Sequence, residues 1–117
     1  MKRNRKKFDI LLVCGAGASS SFMAAKMRVA ARKRDLDITI TARSESELSN
    51  FAGEIDVIML GPHLSTYYES LKERYQEEAC VILMKGSYYS SLDGDSALDH
   101  LLEELDQYDS EHLNGDE

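Results

Sequence analysis

A cysteine stands near the N-terminus, where an apolar segment gives way to a loop of small residues. Cys14 ends the run FDILLVC, and GAGASSS follows before a helical pattern begins. The apolar run predicts a strand that is buried on both faces. A strand, a small-residue loop and a helix start together offer unpaired backbone N–H groups and the positive end of a helix dipole. The same field stabilises a thiolate, so the segment predicts that Cys14 carries a phosphoryl group.

Two other kinds of enzyme use a thiol at the mouth of such a loop. A low-molecular-weight phosphatase follows the pattern C-x5-R-[ST], in which the arginine grips the phosphate. Here Ser20 stands in the arginine's place, and no Arg or Lys occurs between Cys14 and Lys26. An arsenate reductase on the same scaffold needs further thiols, whereas Cys80 lies inside an apolar run. These residues weaken both the phosphatase and the reductase alternatives.

A phosphocysteine carrier needs a loop that holds the phosphoryl group without activating water. Gly15 and Gly17 allow the backbone to approach the phosphoryl oxygens, and the serines from Ser19 to Ser21 add hydroxyl donors and a helix N-cap. A regulatory module that binds an anion without a covalent step would use the same donors. The residues therefore favour a carrier and leave a non-catalytic anion-binding module as an alternative.

Predicted strands and helices alternate along the chain. The order indicates an α/β domain with a four-stranded parallel sheet in the order 2-1-3-4, helices on both faces and a flavodoxin-like arrangement. Ligands should bind where Cys14 and Gly61 end their strands. Alternating apolar residues place the second strand over 38–42, at an edge of the sheet. The other predicted elements are strands over 55–60 and 79–84, helices over 44–52, 63–76 and 95–107, and a loop of turn formers over 85–94.

Composition and charge exclude several classes of protein. The two cysteines lie 66 positions apart at unlike sites, so neither a redox pair nor a zinc site is indicated, and no cofactor is implied. The net charge of −7 is uneven, with five basic residues in 2–7 and ten acidic residues in 93–117. The basic segment is too short for a nucleic-acid site. We predict a basic extension over 1–7, a domain over 8–107 and a disordered acidic tail over 108–117.

Three segments of the sequence resemble one protein family. They read ILLVCGAGASSSFMAAKM, DVIMLGPHLSTYY and SYYSSLDGDSALDHLLEEL, and they span roughly residues 8–106. The sequence resembles the IIB component of the lactose/cellobiose/chitobiose class in the phosphoenolpyruvate-dependent sugar phosphotransferase system. The combination of the cysteine loop with LGP after the third strand carries most of this resemblance.

The resemblance implies a transferase that works through a phosphocysteine. A IIA component would donate phosphate from its phosphohistidine, and a sugar such as cellobiose, lactose or chitobiose, entering through the membrane IIC component, would receive it. The chain would then be a cytoplasmic monomer at the inner face of the membrane, in transient contact with IIA and IIC and not with nucleic acid.

The resemblance also assigns residues. It makes Cys14 the phosphorylated residue. His63 stands where the family tends to carry Gln, and it would contact the phosphoryl group or a partner. Ser21, beside the loop, and Tyr88, after the fourth strand, are further candidates for the site's edge or for partner contact. The residues that match the family's phosphate-binding turn are Gly15, Ala16, Gly17, Ala18, Ser19 and Ser20.

Overall fold

The computed structural model describes residues 8–14, 19–44, 47–51 and 55–112. Within these ranges strands and helices alternate as the sequence predicts. The strands are β1 (Asp9–Cys14), β2 (Thr39–Ser44), β3 (Val57–Leu60) and β4 (Cys80–Leu83). The helices are α1 (Ser19–Lys33), α2 (Leu48–Phe51), α3 (Ser65–Tyr75), α4 (Gly86–Tyr89) and α5 (Gly94–His112), and a 3₁₀ turn (Pro62–Leu64) precedes α3.

The four strands form one parallel sheet in the order β2-β1-β3-β4, so the predicted fold class and strand order are confirmed. The register places Ile10 of β1 between Ile40 of β2 and Val57 of β3. Residues 10–13 of β1 have no exposed surface, as expected for an inner strand with helices on both faces.

Two apolar clusters lie on opposite faces of the sheet, because successive side chains of a strand point to opposite sides. On one face Leu12 joins residues of α1 and α5, including Met23 and Leu98. On the other face Leu11 joins residues of α2 and α3, including Tyr75. The sheet is therefore fixed on both sides, and its carboxyl edge holds a constant position relative to the start of α1.

Strand β2 is the edge strand that its alternating pattern predicts. Ile40 is buried, whereas Thr39 is exposed. Arg28 of α1 donates hydrogen bonds from Nε (3.1 Å) and Nη2 to the carbonyl oxygen of Ile40. This contact ties α1 to the edge of the sheet, so the guanidinium of Arg28 has a structural partner.

The three largest differences from the sequence prediction concern helices. Helix α2 begins at Leu48 and not at the predicted position 44, because Ser44 is still part of β2. Residues 86–89, predicted as loop, form the single helical turn α4. The last helix continues to His112, five residues past its predicted end at 107. The Tyr108 hydroxyl donates to the carbonyl oxygen of Gln76 at 2.6 Å, a tertiary contact that accounts for the longer helix.

Helix α5 crosses α1 at a glycine. A Cβ atom built on Gly94 would lie 2.4 Å from the carbonyl oxygen of Lys26, which is backbone and cannot turn aside. Only a residue without a side chain allows this approach. The contact holds the segment between β4 and α5 beside the middle of α1. No helix in the described ranges combines the length and the hydrophobicity that crossing a bilayer requires.

Candidate functional site

The carboxyl edge of the sheet brings together the two strand ends that the sequence singled out. Cys14 is the last residue of β1 and pairs in register with Ser44 of β2. On the other side, the backbone N–H of Gly61 donates to the carbonyl oxygen of Val13 at 2.9 Å. Cys14 and Gly61 therefore lie on neighbouring strands at the same edge. In open parallel sheets this edge is where ligands bind.

Only four residues separate Cys14 from Ser19, where helix α1 begins. Its first turn contains no acidic residue, whereas Arg32 and Lys33 occupy its last turn. The basic last turn complements the helix dipole, and the lack of a carboxylate in the first turn leaves the N-terminal N–H groups available to an anion. Ser19, Ser20 and Ser21 belong to this first turn, so the loop is three residues shorter at its helical end than the sequence prediction to Ser21.

The structure describes only some of the predicted phosphate-binding residues. The backbone of Cys14, Ser19 and Ser20 has a defined place, and Ser21 is exposed on the first turn of α1. The predicted loop donors Gly15, Ala16, Gly17 and Ala18 lie outside the described residues. The assignment of this loop to phosphate binding therefore stays a prediction.

His63 lies close to the same edge. It is exposed and belongs to the 3₁₀ turn that follows β3 directly after Gly61. Its ring centroid is 6.4 Å from that of Tyr89, with the two ring planes tilted by 56°. The structure therefore brings together a residue after β3 and a residue after β4, a pairing that sequence reasoning missed. In the sequence, the only signal for this pairing is the two adjacent tyrosines, Tyr88 and Tyr89, after the predicted fourth strand.

Tyr88 has a different environment from its neighbour. It is 5% exposed, and its hydroxyl lies 2.6 Å from Nδ1 of His100 on α5. Burial raises the pKa of Tyr88 to about 12. Burial also lowers the pKa of His100, although the charge of Glu104 opposes this shift. Tyr88 thus packs in the core on the α5 side, and its proposed contact with a partner stays a prediction.

The two cysteines lie at opposite ends of the parallel strands, Cys14 at the carboxyl end of β1 and Cys80 at the amino end of β4. Cys80 begins β4 and pairs with Val57, which in turn pairs with Ile10 of β1. Cys14 is four residues further along β1, which corresponds to roughly 13 Å along the strand direction. A disulfide requires Cα atoms within about 7 Å. Cys80 is 4% exposed and its Sγ donates to the carbonyl oxygen of Glu104 at 3.7 Å, so it is a core residue and not a resolving thiol.

Arg43 lies near the carboxyl end of β2, and its guanidinium contacts other groups of the protein. Arg43 pairs in register with Val13, one residue before the β2 partner of Cys14. Its Nη1 donates to the carbonyl oxygen of Ala42 at 3.0 Å, and its Nε is 3.9 Å from Glu47. These contacts direct the guanidinium along β2 and towards α2. Among the described residues no cluster of three or more His, Cys, Asp or Glu side chains is suited to a metal ion.

Comparison with known proteins identifies the family. The family model described as PTS system, lactose/cellobiose-specific IIB subunit matches residues 9–100. The chain belongs to this family. Membership makes it a phosphoryl-transfer component of a sugar phosphotransferase system, as the resemblance in the sequence indicated.

Solved structures of IIB components share the fold. The lactose-specific IIB domain from Streptococcus pneumoniae superimposes with a TM-score of 0.73 at 21% sequence identity, covering 85% of this chain and 98% of the other. The cellobiose-specific IIB component from Borrelia burgdorferi gives a TM-score of 0.70 at 25% identity, covering 87% of this chain and 94% of the other. Nearly the whole of each IIB domain is therefore matched by this IIB chain.

Proposed function

We propose that this IIB chain carries a phosphoryl group on Cys14. It would accept the group from a phosphohistidine of a IIA component and pass it to a sugar during uptake through a IIC permease. The supporting observation is the position of Cys14, which ends β1 at the ligand-binding edge and is separated by four residues from a helix with no acid in its first turn. A thiolate or a phosphoryl group at that position would be stabilised by the backbone N–H groups at the start of the helix.

The first step is an in-line displacement at phosphorus. The Cys14 thiolate attacks the phosphohistidine, so that an S–P bond forms as the P–N bond breaks. The leaving imidazole keeps the electron pair of that bond and takes up a proton equivalent to the one that the thiol lost. The N–H groups at the start of α1, together with the loop donors predicted over Gly15–Ala18, stabilise the charge on the equatorial oxygens.

The second step returns the thiolate. A sugar hydroxyl attacks the phosphorus of phosphocysteine, the S–P bond breaks, and the sulfur leaves as the Cys14 thiolate. A base must take the hydroxyl proton, and we assign that base to the IIC site where the sugar is bound. The family supports lactose, cellobiose or chitobiose as the sugar class. The phosphoryl group passes to the sugar at the cytoplasmic face of the membrane.

The position of Cys14 at the carboxyl edge of the sheet also indicates how the chain meets its protein partners. A carrier that gives and receives a phosphoryl group must expose this edge to two partners in turn, and Ser21 and Phe22, at the start of α1, are both exposed. Transient docking of IIA and IIC on a monomer meets this need. His63, which is exposed at the same edge, would contact the phosphoryl group or one of these partners.

The alternative functions have less support. A phosphatase needs a cation that grips phosphate, whereas no Arg or Lys occurs between Cys14 and Lys26. A reductase needs a resolving thiol close to Cys14, whereas Cys80 lies at the opposite end of the parallel strands. A purely anion-binding module would bind phosphate without forming the S–P bond, which the following experiment distinguishes.

The test is the mass of the protein after phosphorylation. Wild type, Cys14→Ser and Cys80→Ala are incubated with phosphoenolpyruvate, the general phosphotransferase proteins and a IIA component. We expect one phosphoryl adduct on the Cys14 peptide in wild type and Cys80→Ala, and none on this peptide in Cys14→Ser. If several IIA donors leave wild type unmodified, the carrier function is wrong and an aryl-phosphatase assay becomes the next measurement.

A further inference from the structure

The hydroxyl of Tyr89 is buried and has no hydrogen-bond partner within the part of the chain that the structure describes. Buried polar groups in folded proteins nearly always have a partner, because an unpaired one loses its contacts with water and gains nothing in return. The neighbouring hydroxyl of Tyr88 follows this rule through its contact with His100. The Tyr89 hydroxyl is therefore available to donate to an acceptor from outside the described chain, such as water or a bound group.

Tyr89 lies where such an acceptor would come from the site. It is the last residue of α4, which follows β4 at the carboxyl edge of the sheet. Its side chain packs against the apolar cluster formed with α1 and α5, while its ring lies 6.4 Å from that of His63, next to the end of β3. Tyr89 therefore lies at the carboxyl edge of the sheet, the same edge at which Cys14 ends β1.

The backbone around Tyr89 fixes this position. The N–H of Leu92 donates to the carbonyl oxygen of Tyr89 at 3.2 Å, and the N–H of Tyr89 donates to that of Lys85 at 3.1 Å. Two residues beyond Leu92, Gly94 packs against the backbone of Lys26 on α1. The hydroxyl is thus held on a short segment that is anchored at both ends, as a preorganised donor requires.

We propose that the Tyr89 hydroxyl donates a hydrogen bond to the phosphoryl group on Cys14. This inference rests on the proposed function. A phosphoryl group supplies strong acceptor oxygens, and its charge makes each hydrogen bond stronger than one between neutral groups. A neutral hydroxyl holds the group without the cation that phosphatases use to promote hydrolysis. The ring of His63 lies beside that of Tyr89.

The test compares phenylalanine variants at three tyrosines. Tyr89→Phe removes only the unpaired hydroxyl, Tyr88→Phe removes a hydroxyl bound to His100, and Tyr67→Phe removes one on a side chain that is 49% exposed. We expect the half-life of phosphocysteine in Tyr89→Phe to fall about tenfold or more, the effect of losing a hydrogen bond to a charged group. Tyr67→Phe should keep the wild-type half-life.

Thermal unfolding supplies a second readout. Without phosphate, Tyr89→Phe should melt at or above the wild-type Tm, because it loses a buried group that has no partner, whereas Tyr88→Phe should melt lower. Inorganic phosphate should raise the Tm of wild type more than that of Tyr89→Phe. A lower Tm of Tyr89→Phe without phosphate would reveal a partner inside the protein and would overturn the inference.

The outcomes separate this inference from the proposed function. If Cys14 is phosphorylated and the half-lives of wild type and Tyr89→Phe are equal, the inference is wrong while the carrier function stands. If wild type is never phosphorylated, the carrier function fails, and phosphate titration decides the inference. A Tm rise that depends on Tyr89 supports an anion contact, and equal rises or no rise at all overturn it.

Discussion

The hydroxyl of Tyr88 lies 2.6 Å from Nδ1 of His100, and the two rings meet edge to face with centroids 5.7 Å apart. This pair joins the segment after β4 to α5. Nε2 of His100 lies 3.8 Å from Oε2 of Glu104, so the ring has a polar neighbour at each nitrogen. The short helix that carries Tyr89 is therefore fixed to the core through its other tyrosine.

The first prediction concerns pH and stability. The pKa of His100 is lowered in the folded state from its ordinary value of 6.5, chiefly by burial. The unfolded chain then binds a proton more readily than the folded chain, so this contribution to stability is complete above pH 6.5 and is lost as pH falls through the folded pKa. Urea unfolding of wild type and His100→Asn between pH 8 and pH 5 should show a steeper acid loss in wild type.

Parallel stability curves for the two proteins would contradict this prediction. The comparison is made between slopes, because His100→Asn also changes packing and lowers stability at every pH. A difference that stays constant with pH would mean that the pKa of His100 is the same in the folded and unfolded chain.

The second prediction isolates the hydrogen bond of this pair. Tyr88→Phe leaves Nδ1 of His100 without its partner, and we expect a loss of about 1–2 kcal/mol in the free energy of unfolding. Tyr67→Phe is the matched control at an exposed position and should stay within about 0.5 kcal/mol of wild type. Urea denaturation at pH 7.5 measures both. An equal effect of the two substitutions would show that the Tyr88 contact adds nothing to stability.

The third prediction tests the crossing of α1 and α5. A methyl group at Gly94 would press on the backbone of Lys26, so Gly94→Ala should cost about 1–3 kcal/mol of unfolding free energy. Gly86→Ala is the matched control, because nothing lies within 4 Å of its added Cβ, and it should be neutral or slightly stabilising. Both variants are compared by chemical denaturation. A neutral Gly94→Ala would mean that the helices separate without cost.

The sheet could be predicted from the sequence because its signals are local and strong. The apolar run of β1 indicates burial on both faces, and the alternation around Ile40 indicates an edge strand; the order 2-1-3-4 satisfies both conditions. The position of Cys14 at the carboxyl edge follows from that order. The family resemblance then gave this position a chemistry that fold alone does not supply.

The segment after β4 could not be predicted in the same way. Helix α4 has four residues, too few for a helical period to be visible. The roles of Tyr88 and Tyr89 differ because one ring meets His100 and the other meets His63, and neither contact is local in sequence. The extension of α5 likewise depends on the contact between Tyr108 and Gln76.

The fourth prediction distinguishes the two thiols by their reactivity. Cys80 is 4% exposed and packs beside the carbonyl of Glu104, so a thiol reagent should reach it only after unfolding. We expect one fast-reacting thiol in native wild type and in Cys80→Ala, and none in native Cys14→Ser. In urea the counts should become two, one and one. Rapid labelling of native Cys14→Ser would mean that β4 opens readily, and Cys80 would then have to be reconsidered as a redox partner.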